Sequence, residues 1–257
     1  MARGLGRRMR APGGPTGLDP AQARAADAGL KAMMPFGRPF LDHVLTSLAD
    51  AGITEAALVL GPEHETIREY YRTVPASRMR ISFVEQAEPL GTADAVWSAR
   101  EWAAGASFIV LNADNLYPVD VLARLGEGNA PAVPGFLRDS LGIPLERIGT
   151  FALIETDASG ALVRIGEKPG VEAMRAAGPQ ALISMNIWRF DDRIFEACRD
   201  VPLSARGERE LPQAVGLAVS RGVRFEVFTA AGPVLDLSSR GDVAAVARAL
   251  EHRTVAL

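Results

Sequence analysis

Cysteine is almost absent from this sequence, which has 257 residues and a single cysteine, Cys198. One thiol cannot form an internal disulfide or a thiolate metal cluster, so both of these features are excluded. Such sparse cysteine is typical of a reducing compartment, and we expect a cytoplasmic protein in which Cys198 is a buried residue without a chemical role.

Long apolar runs and an excess of basic charge are also lacking. No stretch reaches the roughly 18 consecutive apolar residues that indicate a membrane-spanning helix. The arginines at the start of the chain are not followed by the apolar core of a secretion signal. The net charge of -3 is spread along the chain, so no basic face is available for a nucleic-acid backbone. We therefore expect a protein that binds neither membranes nor nucleic acids.

Apolar residues make up 48% of the sequence, enough for a full hydrophobic core. In the first half, a proline- and glycine-rich loop over residues 11–30 contains at most one helical turn, at Ala21–Ala28. Helices and strands then alternate, which predicts a parallel α/β sheet between layers of helices. One predicted helix begins at Pro39, and two more cover Glu63–Tyr71 and Thr92–Trp102. The predicted strands are Ala56–Leu60, Arg80–Glu85 and Phe108–Asn112.

The second half has a different pattern, in which the sheet is expected to become mixed. Segments Thr150–Glu155 and Leu162–Glu167 flank a turn at residues 157–160 and predict a β-hairpin. The long apolar segment Ala181–Phe190 predicts one strand. A helix at Glu210–Arg221, a strand at Phe225–Thr229 and a closing helix at Asp242–Leu250 complete the pattern.

The first candidate site is the segment from Gly4 to Arg10. Gly4 and Gly6 remove the Cβ atoms that would keep a phosphate away from the backbone, and the arginines that follow supply positive charge. A basic N-terminus without a ligand would have the same composition. Lys31 follows the long loop and could act as a point charge over the same phosphates, although a lone lysine is usually a solvated surface residue.

Two aspartates follow apolar strands. Asp114 comes directly after the strand that begins at Phe108, and Asp236 ends the apolar segment 232–235. A carboxylate at a strand end is often a turn or capping residue, but a pair of them is also what Mg²⁺ takes alongside phosphate oxygens. A third polar segment, which contains Gln86, Gly91 and Thr92, lies where a strand ends and a helix begins, a common ligand position in parallel sheets.

Five motifs occur in order along the chain, namely GLGRRMR at 4–10, KAMMPFGRP at 31–39, EPLGTADAV at 88–96, FIVLNADN at 108–115 and IGEKP at 165–169. Together they resemble the sugar-phosphate nucleotidyltransferases, the nucleoside-diphosphate-sugar pyrophosphorylases. The resemblance implies a Rossmann-like, three-layer, mostly parallel sheet with a mixed-sheet sugar-binding subdomain. It also implies a single domain over residues 1–257, with a nucleotide-binding half at about 1–125 and a sugar-binding, closing half at about 126–257.

The same resemblance implies an activity and a role for each candidate residue. A sugar 1-phosphate would attack the α-phosphorus of a nucleoside triphosphate and expel pyrophosphate, with Mg²⁺ bridging the phosphates. Arg8 would neutralise pyrophosphate, Lys31 would hold the phosphates, and Asp114 and Asp236 would bind Mg²⁺. The nucleotide would also contact Gly4, Gly6, Gln86, Gly91 and Thr92. Glu167 would hydrogen-bond to sugar hydroxyls, Lys168 would reach the phosphate of the sugar, and Asn186 would line the sugar pocket. A glutamine in the base loop favours UTP or dTTP.

The chain departs from the family pattern at its start. Arg7 stands where the family usually has threonine or serine, and only Met1, Ala2 and Arg3 precede the first glycine, so we expect the first strand of the sheet to lie upstream of Met1. These departures leave a second hypothesis open, a regulatory protein that binds nucleotide sugars without turnover. A third hypothesis, an NAD-type dehydrogenase, lacks the acidic residue expected about 20 residues after the glycines. The oligomeric state is left open, with a homo-oligomer as one option.

Overall fold

The computed structural model describes Met1, residues 6–11 and residues 18–257, with the backbone alone for Arg7. Helices and strands alternate along much of this length. The α-helices are α1 (Arg7–Arg10), α2 (Pro20–Ala28), α3 (Phe40–Asp50), α4 (Glu65–Thr73), α5 (Thr92–Ser98), α6 (Arg100–Ala103), α7 (Val119–Gly126), α8 (Leu145–Ile148), α9 (Gly170–Ala177), α10 (Arg193–Asp200), α11 (Leu211–Ser220) and α12 (Val243–Leu250).

The strands are shorter than the helices on average. They are β1 (Pro35–Phe36), β2 (Arg38–Pro39), β3 (Glu55–Leu60), β4 (Arg80–Glu85), β5 (Phe108–Leu111), β6 (Asn115–Leu116), β7 (Ala132–Leu137), β8 (Ala152–Thr156), β9 (Leu162–Glu167), β10 (Leu182–Ser184), β11 (Ile187–Phe190), β12 (Glu226–Ala230) and β13 (Leu235–Asp236). Short 3-10 helices cover Lys31–Met33, Arg138–Ser140 and Arg240–Asp242. Within the part of the chain described, every helix is too short or too polar to cross a membrane.

Most elements predicted from periodicity are present. The helix predicted to begin at Pro39 is α3, and its apolar positions, among them Phe40, Val44 and Leu48, are buried. The chain leaves α3 through Gly52, whose φ of 82° is readily adopted only by glycine. The predicted β-hairpin is also confirmed, because β8 pairs antiparallel with β9.

The segment predicted as a loop with one helical turn is more ordered than expected. Helix α2 covers Pro20–Ala28, and Asp19 caps it by accepting hydrogen bonds from the amides of Ala21 and Gln22. The side chain of Gln22 accepts a hydrogen bond in return from the amide of Asp19, at 3.2 Å. This reciprocal cap, with a proline in the first turn, outweighs the high proline and glycine content of the surrounding segment.

The prediction of one long strand over Ala181–Phe190 is wrong. The segment forms two strands, β10 and β11, separated by Met185 and Asn186. Asn186 adopts the left-handed region with φ of 57°, which asparagine tolerates better than most residues. The break lets the chain pair with β7 and β8 through β10 and then with β5 through β11. The segment is largely apolar, with Ser184, Asn186 and Arg189 as its polar residues, and its periodicity did not indicate this change of partner.

The chain forms two compact units, and each is built from separate segments. The first unit contains residues 1–87, 112–123 and 235–257, and the second contains residues 88–111 and 124–234. In the second unit the strand order is β5-β11-β7-β10-β8-β9, and β12 pairs in parallel with β7. This mixed sheet agrees with the expected α/β class. Its core includes aromatic rings in stacked, tilted and edge-to-face contacts, from Phe108, Trp188, Phe190, Phe195 and Phe225.

In the first unit, β3 pairs in parallel with β4, and β6 pairs antiparallel with β13. Helix α3 is fastened to α4 by Asp42, which is fully buried. Its carboxylate accepts hydrogen bonds from the hydroxyls of Tyr70 and Tyr71, each at 2.7 Å, and from Arg38 at 2.8 Å. Because all three donors converge on one carboxylate, this buried charge is compensated.

Candidate active site

Lys31 and Asp114 form an ion pair in the first unit. The Nζ atom of Lys31 lies 2.8 Å from Oδ2 of Asp114, and both side chains are largely shielded from solvent. Lys31 begins a 3-10 helix just after α2, and Asp114 lies between β5 and β6. The two residues are 83 positions apart in the chain, so the fold brings this cation and this carboxylate together.

Asp236 lies beside Asp114 because β13 pairs with β6. The register places Asp236 opposite Asn115, and the amide of Leu237 donates to the backbone carbonyl of Asp114 at 2.8 Å. Both carboxylates also act on the phenol of buried Tyr117. Burial raises the pKa of Tyr117 well above its usual value, and the charges of Asp114 and Asp236 raise it further.

The segment that follows Asp236 is held by short-range hydrogen bonds. The hydroxyl of Ser238 donates to Oδ1 of Asp236 at 2.6 Å, and the amides of Ser238 and Ser239 donate to Asp242 at 3.0 and 2.7 Å. Ser239 and Asp242 together form a capping box at the 3-10 helix. The sequence predicts Asp242 as the start of the closing helix, but its contacts with Ser238 and Ser239 were not predicted, although a serine three positions before an aspartate is a recognisable capping pattern.

Asp114 and Asp236 suit a cation that keeps water or phosphate oxygens as ligands better than a metal held by protein side chains alone. Outside the gaps at residues 2–5 and 12–17, no group of three or more histidine, cysteine, aspartate or glutamate residues could hold a metal ion. A metal held by protein side chains alone is therefore not supported in that part of the chain. Mg²⁺ usually takes only one or two carboxylates and keeps water or phosphate oxygens as its remaining ligands. The residues present fit that requirement.

The Gly-rich segment is described from Gly6 onwards, whereas Gly4 lies outside the described residues. Gly6 has φ of 58°, and a Cβ atom there would lie 2.6 Å from the backbone of Gly29. In α1, Met9 is fully buried and Arg8 is exposed. Among the described contacts, no hydrogen bond or ion pair links Arg8 to Lys31 or Asp114. The close approach to Gly29 gives Gly6 a packing role that does not depend on a ligand.

Gln86 follows β4 and is buried, with 2% of its surface exposed. The backbone amide of Gln86 donates to the carbonyl of Leu60 at 2.8 Å, which extends the pairing of β3 and β4 by one residue. The two strands run in parallel, so Gln86 and Gly61 lie at their carboxyl ends. That edge is where parallel sheets usually bind ligands.

In the second unit, Gly91 and Thr92 pack against the segment 204–211. The amide of Arg209 donates to the carbonyl of Leu90 at 2.6 Å, and the amide of Ala93 donates to the carbonyl of Arg209 at 2.9 Å. A Cβ atom on Gly91 would lie 2.4 Å from that carbonyl oxygen. The hydroxyl of Thr92 accepts a hydrogen bond from the amide at the start of α11, at 2.9 Å.

Glu167 ends β9, and Lys168 follows it with φ of 46°, an uncommon backbone conformation for lysine. Partial burial of the Glu167 carboxyl group raises its pKa, and the nearby carboxylate of Glu210 raises it further. Glu210 itself pairs with Arg206, at 2.7 Å. Burial alone would raise the pKa of Glu210, but the hydrogen bonds from Arg206 and Ser204 bring it below its usual value.

The structure thus brings Lys31, Asp114 and Asp236 together in the first unit, and it brings Glu167 and Lys168 near Glu210 and Arg206 in the second. Asn186 lies apart from these residues in the chain, in the turn between β10 and β11. The importance of Arg206 and Glu210 was missed, because nothing in their local sequence indicates that α11 begins near β9.

Carboxylates at strand ends with a lysine beside them are typical of α/β proteins that bind phosphate-bearing ligands. The family model for nucleotidyl transferases matches residues 27–233, and the chain belongs to that family. The family expected from the five motifs is therefore confirmed.

Individual relatives and structures agree with this assignment. The chain is 28% identical to the bifunctional protein GlmU of Methanococcus vannielii over 72% of its own length but only 41% of the relative. It is 26% identical to the UTP–glucose-1-phosphate uridylyltransferase AglF of Haloferax volcanii, over 85% of this chain and 86% of the relative. A solved UDP-glucose pyrophosphorylase from Acinetobacter baumanii superposes with a TM-score of 0.74 over 99% of this chain and 93% of that one, at 20% identity. The expected fold is confirmed by this likeness.

Proposed function

We propose that the protein transfers a nucleotidyl group from a nucleoside triphosphate to a sugar 1-phosphate and releases pyrophosphate. The observation that carries the proposal is the cluster of Lys31, Asp114 and Asp236, which gathers one cation and two carboxylates beside the paired strands β6 and β13. Phosphoryl transfer chiefly requires positioned charges and a divalent cation, and this cluster supplies groups for both. The single cysteine supports a reducing, cytoplasmic location for the reaction.

The reaction requires no covalent bond to the protein. A phosphate oxygen of the sugar 1-phosphate forms a bond to the α-phosphorus of the nucleotide, and the bond from that phosphorus to the bridging β-phosphate oxygen breaks. The electron pair of the broken bond leaves with pyrophosphate. Lys31 would hold the phosphates, and exposed Arg8 would neutralise the departing charge.

Mg²⁺ would be held by Asp114 and Asp236, with phosphate oxygens and water as its other ligands. When bound, it would neutralise charge on the phosphates and align them for in-line displacement. Lys31 already neutralises the Asp114 carboxylate through the 2.8 Å ion pair. Lys31 would hold the phosphates from this position beside the metal ligand Asp114.

The nucleotide would be UTP or dTTP. A buried glutamine at the end of a strand can hydrogen-bond to a pyrimidine base, and Gln86 is such a residue. The likeness to the uridylyltransferase AglF supports the same preference. Glu167 would accept hydrogen bonds from sugar hydroxyls, Lys168 would reach the sugar phosphate, and Asn186 would line the sugar pocket.

The proposal is tested by comparing two isosteric changes that remove one carboxylate each. Asp114→Asn should lower pyrophosphate release by at least about 100-fold, because the proposed Mg²⁺ ligand and partner of Lys31 loses its charge. Asp120→Asn is the matched control, since Asp120 is exposed on α7. Equal activity of the two variants would refute the role of Asp114. Tight binding of UDP-glucose by wild type with no pyrophosphate release would instead favour the regulatory protein.

A further inference from the structure

The side chain of Arg240 joins two segments that are far away in sequence. Its Nε atom donates to the carbonyl oxygen of Met9 at 2.9 Å, and its guanidinium group also pairs with Asp27 at the end of α2. The Arg240 side chain is only 17% exposed, whereas that of Asp27 is 71% exposed. The bond to Met9 is therefore the better shielded of the two contacts.

Helix α1 depends on such contacts. It is a single turn of four residues, and its N-cap Gly6 provides no side-chain hydrogen bond. A helix of this length is not stable by itself, so contacts with the rest of the unit must hold it in place. Those contacts are the close approach of Gly6 to Gly29, the burial of Met9, and a hydrogen bond from Arg10 to the carbonyl of Ala28.

The carbonyl of Met9 belongs to the last turn of α1, where carbonyl groups lack partners within the helix. The Arg240 guanidinium group supplies that partner. Arg240 itself begins the 3-10 helix that follows Asp236, and the capping box of Ser239 and Asp242 fixes this turn. One side chain thus connects the segment of Asp236 to the backbone next to Arg8.

We propose that Arg240 is a positioning residue, which holds α1, and with it Arg8, in place relative to Asp236. This inference rests on the proposed function for its effect on catalysis, because Arg8 is expected to act on pyrophosphate. The anchoring itself rests only on the contacts of the first unit. The contact that matters is the hydrogen bond from Nε to the carbonyl of Met9, and the planar guanidinium group can make it while a second donor faces the exposed Asp27.

Steady-state kinetics with four variants tests the catalytic part. Arg240→Met should lower kcat on the order of 10- to 100-fold, the effect expected from a small misplacement of a catalytic group. The KM for sugar 1-phosphate should stay unchanged. Arg240→Lys should recover part of the loss, because lysine can keep one hydrogen bond. The kcat of Asp27→Asn should be close to that of wild type. Arg248 is an exposed arginine on α12, and Arg248→Met is the matched control.

Hydrogen exchange tests the anchoring without using activity. The amide of Arg10 donates to the carbonyl of Gly6 at 2.9 Å, so its exchange rate reports whether the turn is formed. Arg240→Met should speed exchange of this amide at least about tenfold, whereas Arg248→Met should leave it unchanged. If Arg240→Met does not fold, Arg240→Lys provides the same comparison with a smaller effect.

The outcomes separate this inference from the proposed function. If wild type releases no pyrophosphate, the proposed function fails, and the Arg10 amide still decides whether Arg240 anchors α1. If wild type is active and Arg240→Met leaves both kcat and the Arg10 amide unchanged, the positioning role is overturned. A loss of kcat without faster exchange would also overturn it, because the effect would then not pass through α1.

Discussion

The ammonium group of Lys31 lies 2.8 Å from the carboxylate of Asp114, a residue 83 positions further along the chain. This contact joins the 3-10 helix after α2 to the residue that precedes β6. It also links two residues that were selected from sequence for different reasons, one as a phosphate contact and the other as a metal ligand. Both roles require high charge at the same place, and the ion pair shows that the fold provides it.

Replacing Lys31 by methionine should lower kcat/KM for the nucleotide about 100-fold, because a cation aimed at phosphate charge is removed. The change keeps most of the side-chain volume, so the fold should be preserved. Arg24→Met on the exposed side of α2 removes one positive charge nearby and should have little effect. Equal kinetics for the two variants would show that Lys31 does not contact the phosphates.

Replacing Gly91 by alanine should destabilise the second unit by roughly 3 kcal/mol or more, since the new methyl group would meet a backbone carbonyl in a conformation that disfavours side chains. Gly91 has φ of 108°, and the obstructing atom is the carbonyl oxygen of Arg209. Urea denaturation measures the loss. Gly105→Ala separates the two causes, because Gly105 has φ of 83° but nothing within 4 Å of its Cβ position. Its expected cost is about 1 kcal/mol, and an equal cost at both positions would rule out the steric contribution.

Replacing Asp42 by asparagine should lower the free energy of unfolding by roughly 2–4 kcal/mol, because two tyrosine hydroxyls and Arg38 lose a charged acceptor. The matched variant is Asp50→Asn on the same helix. Asp50 pairs with Arg78 at the surface, where both side chains are more than a third exposed. Its loss should cost less than about 1 kcal/mol. Similar costs for the two changes would mean that the buried network contributes nothing beyond a surface ion pair.

The pH dependence of sugar binding should reflect the raised pKa of Glu167. A protonated carboxyl group is a poorer acceptor for sugar hydroxyls, so the KM for sugar 1-phosphate should rise as the pH falls through this pKa. The rise should begin at a higher pH than an ordinary glutamate would give. Glu210→Gln removes a negative charge that helps to raise the pKa of Glu167, so in this variant the rise should begin at lower pH.

The sugar 1-phosphate has the same protonation state in the assays of wild type and of Glu210→Gln at each pH. Any difference between the two KM profiles therefore comes from the protein. Superimposable KM profiles, or a shift to higher pH in Glu210→Gln, would contradict the influence of Glu210 on Glu167.

Much of the fold was predictable because it depends on local patterns. The apolar spacing in α3 and the two strands around the turn at residues 157–160 follow from periodicity and turn chemistry, which neighbouring residues determine. The division of residues 181–190 into β10 and β11 was not predictable in this way. It depends on which strands lie on either side, and an apolar run is compatible with one strand or two.

The candidate site shows the same difference. Asp114 and Asp236 are both predicted from local signals, because each follows an apolar segment. The pairing of β13 with β6, which places Asp236 opposite Asn115, depends on the folded chain and was not predictable from either segment alone. Arg240 could not be selected, since its partners Met9 and Asp27 are brought to it only by the folded chain. The catalytic and binding roles of these residues stay predictions that the experiments above address.

The central claim is tested most directly by measuring pyrophosphate release from wild-type protein while one component is omitted at a time. Glucose 1-phosphate, UTP or dTTP, and Mg²⁺ should all be required, and the nucleotide sugar should form in the same amount as pyrophosphate. Release that continues without the sugar 1-phosphate, or no release with any combination of sugar 1-phosphates and nucleotides, would contradict the proposed transferase.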